Sequence, residues 1–173
     1  MPPGARFEYS PPVTPIPGDR AQARRLEAEA ARARRAGDLT QSIRAYEDAT
    51  AADSTYYNAS FGLGLAAIEA RDYATALEAL QRALALQEDS SEARYAFAWT
   101  LARRGYTEDA MHELVKLLAQ HPDDVRGHLL LGNLHAGKSG QQKLAREQYT
   151  RALELDPTNS QASNVRAWLQ RNP

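Results

Sequence analysis

The sequence repeats with a period of 34 or 35 residues, and this period restricts the fold more than any other feature. A small residue, a large apolar residue and a third, mostly small residue recur in the same order four times. The columns hold Ser42, Ala76, Ala110 and Ala145, then Tyr46, Leu80, Leu114 and Tyr149, then Ala49, Ala83, Leu117 and Ala152. Units of this length stack against their copies, because one unit cannot bury its apolar face alone.

Each unit is predicted to be a pair of helices. The three columns fall at i, i+4 and i+7, which places them on one face of a helix. Another apolar helical segment precedes each of these helices, and a short turn separates the two. Glycines at Gly37, Gly105 and Gly140 can take the left-handed conformation that ends a helix. The predicted fold class is therefore all-α, a solenoid of helix-turn-helix units.

The repeat pattern resembles that of the tetratricopeptide repeat family. In the fourth unit the matching residues are Leu131, Gly132, Ala145, Tyr149 and Pro157. The family's tryptophan column is absent, and its positions hold Leu26, Ser60, Arg94 and His128. The resemblance implies a right-handed α-solenoid of about four units with a C-terminal capping helix. It also implies a concave groove, lined by the first helix of each unit, in which a peptide binds.

The resemblance also predicts how the chain is divided. A proline-rich, extended arm covers residues 1–20, the four repeats cover 21–159, and a capping helix covers 160–173. The repeats are assigned to residues 23–56, 57–90, 91–124 and 125–159. The first repeat departs most from the pattern, because Glu29 stands in the column where later units have Leu63, Phe97 and Leu131.

The family's register places apolar anchors and polar side chains together in the groove. The predicted partner-binding residues are Asn58, Phe61, Leu65, Tyr95, Trp99, Arg103, Arg126, Leu129, Asn133 and Trp168. Aromatic anchors within a polar rim are typical of peptide-binding hot spots. The chaperone-binding branch of the family binds a C-terminal carboxylate through lysine and asparagine, but those positions hold Glu27 and Ala31 here. No carboxylate clamp is predicted, and burial of the aromatic rings between helices stays an alternative.

Residues 132–139, GNLHAGKS, match the phosphate-binding pattern G-x-x-x-x-G-K-[ST]. In such a loop Lys138 would bind phosphate and Ser139 would bind magnesium. That site also needs a strand before the glycines and an acidic residue on a second strand, and no second strand can be found. The repeat explains Gly132 differently, as a member of the small column of the first helices. That column holds Ala30, Gly64, Ala98 and Gly132. A P-loop nucleotide-binding protein is therefore kept only as an alternative of a different class.

Three histidines, His121, His128 and His135, are spaced by seven residues, as ligands of a metal can be. Pro122 separates His121 from the helix that carries the other two, so we interpret the imidazoles as packing groups with local hydrogen bonds. The sequence has no cysteine, and no serine stands in a recognisable nucleophile motif. We predict no metal, no cofactor and no catalytic residue.

The predicted partner is a protein or a peptide. A formal net charge of -1 provides no basic field for nucleic acid, and no run approaches the ~20 apolar residues of a membrane span. The predicted function is a non-catalytic scaffold or adaptor that binds a peptide or helix of a partner. A structural or assembly-factor subunit of a larger complex is the alternative. No compartment follows directly; the cytoplasm is favoured, and the periplasm or secretion requires a signal peptide that was removed.

The proline-rich stretch FEYSPPVTPIPG, residues 7–18, predicts an extended or polyproline-like arm. Aromatic-lined grooves bind such segments. We expect the arm to lie across the solenoid, in its own groove or in that of a neighbouring molecule, where a partner displaces it. The second arrangement implies self-association, and a disordered tether is the alternative to both.

Overall fold

The computed structural model describes residues 5–11 and 14–172 of the chain. Within these ranges the secondary structure consists of nine helices without a strand, which confirms the predicted all-α class. The helices are α1 (Arg20–Arg35), α2 (Leu39–Ala52), α3 (Tyr57–Glu69), α4 (Tyr73–Leu86), α5 (Ser91–Arg103), α6 (Thr107–Gln120), α7 (Val125–Ala136), α8 (Gln142–Leu155) and α9 (Ala162–Arg171). α1 begins at Arg20, the last residue of the predicted arm. Residues 1–4 and 12–13 of the predicted arm, and residue 173 of the predicted cap, lie outside the described ranges.

The helices stack as four pairs followed by a single helix. α1 packs on α2, α3 on α4, α5 on α6 and α7 on α8, and α9 packs on α8. The first helices of neighbouring pairs also contact each other, from α1 to α7. The second helices of the described chain make no such mutual contacts. The first helices therefore form a closely packed inner row, and the second helices form a more widely spaced outer row.

The repeat columns mark where the two helices of a pair cross. A small residue on the first helix faces a large residue on the second: a Cβ atom built on Gly64 would lie 2.6 Å from Leu80, and one built on Gly132 would lie 2.7 Å from Tyr149. Ala30 and Tyr46 share one buried cluster, and Ala98 and Leu114 share another. Such close approaches leave no room for a larger side chain, because protein interiors are closely packed. The sequence period of 34 residues is therefore the spacing along the chain between successive helix crossings.

The turns between paired helices use left-handed backbone conformations, as the glycines predicted. Gly37, Gly105 and Gly140 have φ angles of 81°, 85° and 79°. The second unit has Arg71 at this position with φ 60°. A side chain makes this region unfavourable, since Cβ approaches the neighbouring carbonyl oxygen. The second turn therefore keeps its shape at an energetic cost that the other three avoid.

Polar side chains define where most helices begin. The carboxylates of Asp19, Asp38, Asp72 and Asp124 each accept a hydrogen bond from a backbone amide three residues later. Ser90 does the same through its hydroxyl at the start of α5. These bonds satisfy amides that have no partner within the first turn of a helix. Because these capping residues recur in the repeats, helices of different repeats begin at equivalent positions.

The start of α1 is joined to the loop between α2 and α3. Arg20 donates hydrogen bonds to Asp53 at 2.5 Å and to the Thr55 hydroxyl at 2.6 Å. Thr55 also donates to Asp53, through its amide at 2.9 Å and its hydroxyl at 2.6 Å. The Arg20 guanidinium lies 4.7 Å from the centre of the Tyr56 ring. This polar cluster connects the first helix to the second repeat.

The N-terminal arm contacts the outer row rather than the predicted groove. Phe7 bonds to Asp109 on α6, Ser10 bonds to Gln81 on α4, and Ile16 bonds to the hydroxyl of Ser54. The expectation that the arm lies in the groove of its own solenoid is therefore wrong for the described residues. The physical reason is that the outer row provides acidic and amide side chains that bind the arm's backbone. Among all described helices, none is long and apolar enough to cross a bilayer.

Candidate functional site

The predicted groove residues lie mainly on the inner row. Asn58, Phe61 and Leu65 belong to α3, Tyr95, Trp99 and Arg103 to α5, Arg126, Leu129 and Asn133 to α7, and Trp168 to α9. All of them except Leu129 are partly or fully exposed to solvent. The inner row thus offers a mixed surface of aromatic, apolar and polar groups along three successive repeats.

Leu129 does not belong to this surface, so its predicted binding role is wrong. It shares a column with Phe61 and Tyr95 but is only 5% exposed. Its side chain belongs to the buried cluster that contains Tyr149 and Val165, with Trp168 of α9 packed against the same cluster. Helix α9 covers this part of the fourth repeat, because its Val165 and Trp168 pack in the same cluster.

Two partly exposed aromatic residues on α5 each lie beside an arginine. The Arg126 guanidinium is 4.9 Å from the centre of the Tyr95 ring, and the Arg103 guanidinium is 5.5 Å from the Trp99 ring. Trp99 also makes an edge contact with Tyr73, with 6.3 Å between ring centres. Burial raises the pKa of Tyr95 above its usual value, although Arg126 opposes the shift, so the hydroxyl is neutral at pH 7. These two pairs present apolar rings next to positive charge.

The polar residues of the groove differ in how they are held. Arg126 donates to Asp124 at 2.9 Å, and this hydrogen bond raises the pKa of the guanidinium further. Asn133 accepts a hydrogen bond of 2.7 Å from the Tyr149 hydroxyl, so its carbonyl oxygen is already used inside the protein. The groove therefore offers an oriented cation at Arg126 and an amide group at Asn133.

Trp168 closes the C-terminal end of the same surface. Its ring lies 5.0 Å from the Tyr149 ring in an edge contact, and a depression of about 260 Å³ lies beside it. Asn133 and Gln161, which share a hydrogen bond of 3.4 Å, also line this depression. The size is sufficient for one side chain of a partner, but not for a drug-sized ligand.

The segment GNLHAGKS does not form a phosphate-binding loop. Residues 132–136 belong to α7, and Gly137 caps this helix with a φ angle of −76°. The amides of Gly137 and Lys138 donate to the carbonyls of Asn133 and His135. Lys138 forms an ion pair with Glu108 of α6. The groups that would bind phosphate are therefore occupied by the helix and by a neighbouring repeat.

The three histidines lie in separate environments. His128 is buried and contacts Gln148 at 2.7 Å and the carbonyl of Pro122 at 3.0 Å. His135 contacts Gln141 at 2.7 Å. His121 contacts the carbonyl of Asp89 at 3.0 Å. Across the described residues, no group of three or more His, Cys, Asp or Glu side chains is arranged to hold a metal ion.

Comparison with sequence models of protein families shows to which family the chain belongs. Three sequence models described as tetratricopeptide repeat match residues 27–93, 67–134 and 125–159. The chain is a tetratricopeptide repeat protein. The matched regions together contain every predicted groove residue except Trp168, which lies on the capping helix.

Solved structures with the same architecture include several repeat proteins. A crystal structure of MamA superposes with a TM-score of 0.75 and 22% identity, covering 83% of each chain. MamA from Desulfovibrio magneticus RS-1 gives a TM-score of 0.74 and 19% identity, covering 90% of this chain and 94% of that one. A tetratricopeptide repeat protein from Parabacteroides merdae ATCC 43184 gives 0.78 and 19%, covering 87% and 60%. At such identities the likeness establishes the solenoid fold alone.

One curated relative carries an enzyme name, but the match covers a small part of it. The Drosophila melanogaster protein O-mannosyl-transferase Tmtc3 is 31% identical over 101 residues. These residues are 58% of this chain and only 11% of that protein. The similarity therefore concerns a segment of the relative, and its transferase name describes the whole of that protein.

Sequence reasoning missed an acidic cluster on the outer row of this tetratricopeptide repeat protein. Asp109 and Glu113, one turn apart on α6, are each 2% exposed. Glu113 accepts hydrogen bonds from Arg94 at 2.8 Å and from Lys116 at 2.9 Å. Burial alone would raise the pKa of Glu113, but these cations outweigh burial and lower it. The carboxyl group is therefore ionised at neutral pH.

A signal for this cluster is present in the repeat alignment. In the other three repeats, the position of Asp109 holds Gln41, Thr75 and Leu144, and that of Glu113 holds Ala45, Ala79 and Gln148. Acidic side chains at both positions occur only in the third repeat. The position of Glu113 is buried in the first two repeats, at Ala45 and Ala79, so an acid there requires a partner for its charge, whereas the position of Asp109 is exposed at Gln41 and Leu144.

Proposed function

We propose that this protein is a non-catalytic adaptor whose inner row binds a segment of a partner protein. The observation that carries the proposal is the pair of partly exposed aromatic rings on α5, Tyr95 and Trp99, each beside an arginine. Tyrosine, tryptophan and arginine are the residues most enriched among binding hot spots. The affiliation with tetratricopeptide repeats supports the same kind of function, since stacked repeats offer extended binding surfaces.

The composition of the surface indicates the chemistry of the segment that it binds. Phe61 stacks on Tyr57 with 5.6 Å between ring centres, so α3 adds a second pair of aromatic rings to the inner row. Arg103 and Arg126 place positive charge at its border. A matching segment carries apolar side chains for the rings and a carboxylate for the guanidinium groups. Affinity in the micromolar range, roughly −8 kcal/mol, is expected for a transient module.

The experiment starts from a partner captured on immobilised protein, identified by mass spectrometry and reduced to a binding peptide. Calorimetric titration then compares wild type, Trp99→Ala and Val115→Ala. Val115 is the matched control, because it is an exposed apolar residue on the outer row. We expect Trp99→Ala to weaken binding by at least about tenfold and Val115→Ala to leave it unchanged. Equal affinities of all three proteins would refute an inner-row site.

A further inference from the structure

Residues 5–10 bind to the outer row through their backbone as well as their side chains. The Phe7 amide donates to Asp109 at 2.8 Å, and Arg6 forms an ion pair of 3.0 Å with the other oxygen of the same carboxylate. Ser10 both donates to and accepts from the Gln81 amide, at 3.2 Å and 2.7 Å. The Tyr9 hydroxyl donates to Glu113 at 3.3 Å. The segment is thus held at both ends and on two helices.

The Phe7 ring fills the gap between α4 and α6. These two helices of the outer row do not contact each other within the described chain. The ring lies 5.7 Å from Phe97, 5.5 Å from Tyr106 and 5.0 Å from Tyr9, in edge contacts. It packs against the buried cluster that includes Leu77 and Leu80 of α4 and Ala110 of α6. The gap is therefore an aromatic pocket, occupied by a side chain from outside the repeats.

The acidic side of the pocket depends on the arm. Asp109 is almost fully buried, and its recorded partners among the described residues are Arg6 and the amide of Phe7. A carboxylate buried without partners is strongly unfavourable, so any segment that replaces the arm and covers Asp109 must offer it the same groups. A backbone amide and a guanidinium are available from any extended peptide that carries arginine at the right position. The carboxylate of Asp109 therefore needs an amide and a guanidinium group, and a segment other than the arm can provide both.

The two acidic positions are also specific to one repeat. Neutral residues occupy both positions in the other three repeats. Glu113 has partners within the solenoid, Arg94 and Lys116, whereas the recorded partners of Asp109 belong to the arm. The role of Asp109 must therefore be sought in what covers the outer row of the third repeat.

We propose that the gap between α4 and α6 is a second peptide-binding site, specific for an extended segment of the form arginine–aromatic–x–aromatic. The protein's own arm, with Arg6, Phe7 and Tyr9, occupies this site in cis. A partner protein that presents the same chemistry replaces the arm. The Phe7 ring contacts α5 at Phe97, whereas the inner-row surface proposed above uses Tyr95 and Trp99 of the same helix.

The test uses the full chain and a fluorescent peptide, ARFEYSP, that copies residues 5–11. The variant Phe7→Ala/Tyr9→Ala releases the arm and leaves the pocket intact. The arm of the wild type competes at a high effective concentration, so the variant is expected to bind the peptide at least about tenfold more tightly. Glu8→Ala is the matched control, because Glu8 is exposed and lies between the two rings, and it should bind like wild type.

Two further measurements identify the pocket. Asp109→Asn, added to the released variant, should weaken peptide binding by at least about tenfold, since one charge-assisted contact is lost. A peptide with serine in place of both aromatic residues should not bind. If the released variant fails to fold, Arg6→Ala replaces it, because that side chain is 69% exposed and its loss weakens the arm while the Phe7 ring is kept. It should bind the peptide more tightly than wild type does.

Three results would overturn the proposal. The first is that the peptide binds neither the released variant nor Arg6→Ala more tightly than wild type. The second is that Asp109→Asn leaves the affinity unchanged. The third is equal binding of the serine peptide. Any of them would mean that the arm is a fixed part of the fold and that the pocket is not a recognition site.

Discussion

The backbone amide of Phe7 donates a hydrogen bond of 2.8 Å to the carboxylate of Asp109, a residue 102 positions later in the chain. This bond joins the arm directly to the third repeat. It also gives a buried carboxylate one of its partners, because Asp109 is only 2% exposed. The arm is thus a component of the tertiary structure, although it lies outside the repeats.

Phe7→Ala is expected to destabilise the protein by about 1–3 kcal/mol, since the ring loses its contacts with three other aromatic residues. Ile16→Ala is the control on the same arm; Ile16 is 73% exposed, and its replacement should change stability by less than about 0.5 kcal/mol. Urea unfolding followed by circular dichroism measures both. Equal midpoints for the two variants would contradict the packing of Phe7 against α4 and α6.

Gly132→Ala is expected to destabilise the protein by about 1–3 kcal/mol, although alanine is the better helix former. The reason is that the new Cβ would lie 2.7 Å from the Tyr149 ring. Gly137→Ala is the control within the same eight-residue motif; its Cβ would lie 3.6 Å or more from other atoms, at a φ angle of −76°. It should be neutral or slightly stabilising. Thermal unfolding with and without ATP and magnesium should give the same midpoint, and an increase with ATP would revive the P-loop alternative.

Arg71→Gly is expected to stabilise the protein by about 0.5–1 kcal/mol. Arg71 has a φ angle of 60°, where glycine is free of the strain that a side chain causes. The control is Arg104→Gly in the next repeat, where φ is −86° and glycine should destabilise by a similar amount. Chemical denaturation compares the two variants. A loss of stability in both would show that the turn of the second repeat is not strained.

Acid should weaken the cluster at the start of α1. Hydrogen bonds from Arg20 and Thr55 lower the pKa of Asp53 from 3.8 to about 2. A lowered pKa means that the unfolded chain takes up the proton first, so the stabilisation is complete above about pH 4 and is lost as the pH falls towards 2. Asp53→Asn should remove this part of the pH dependence.

The measurement for Asp53 is the free energy of unfolding between pH 5 and pH 2. The difference between wild type and Asp53→Asn should shrink as the pH falls through this window. Arg20→Ala serves as a second variant, because it removes the hydrogen bond that lowers the pKa of Asp53 most and should reduce the same pH dependence. A constant difference at every pH would contradict the lowered pKa.

Most of the fold could be predicted from the sequence because the repeat period reports helix crossings directly. The columns of Gly64 and Leu80, or of Gly132 and Tyr149, are contacts between neighbouring helices, and their spacing is a local property. Helix boundaries follow in the same way, since Asp38 and Asp72 cap helices through amides three residues away. The rejection of the P-loop also required only the register of Gly132.

The groove was predictable only in part. The positions of Tyr95 and Trp99 on the inner row follow from the repeat register, and both rings are partly exposed. The same register placed Leu129 beside them, where it is buried with the cluster next to α9. A repeat pattern assigns equal environments to equal positions, but α9 covers this position in the fourth repeat, whereas Phe61 and Tyr95 are partly exposed.

By itself, the sequence determined the all-α class, the paired helices, the turns at Gly37, Gly105 and Gly140, and the family. These features depend on contacts between residues that are close in the chain or separated by one repeat. Only the tertiary structure decided that the arm binds the outer row, that Phe7 fills the gap between α4 and α6, and that Asp109 binds an amide 102 residues away. Such contacts leave no periodic signal, since each occurs once and joins a non-repeated segment to particular side chains of the second and third repeats.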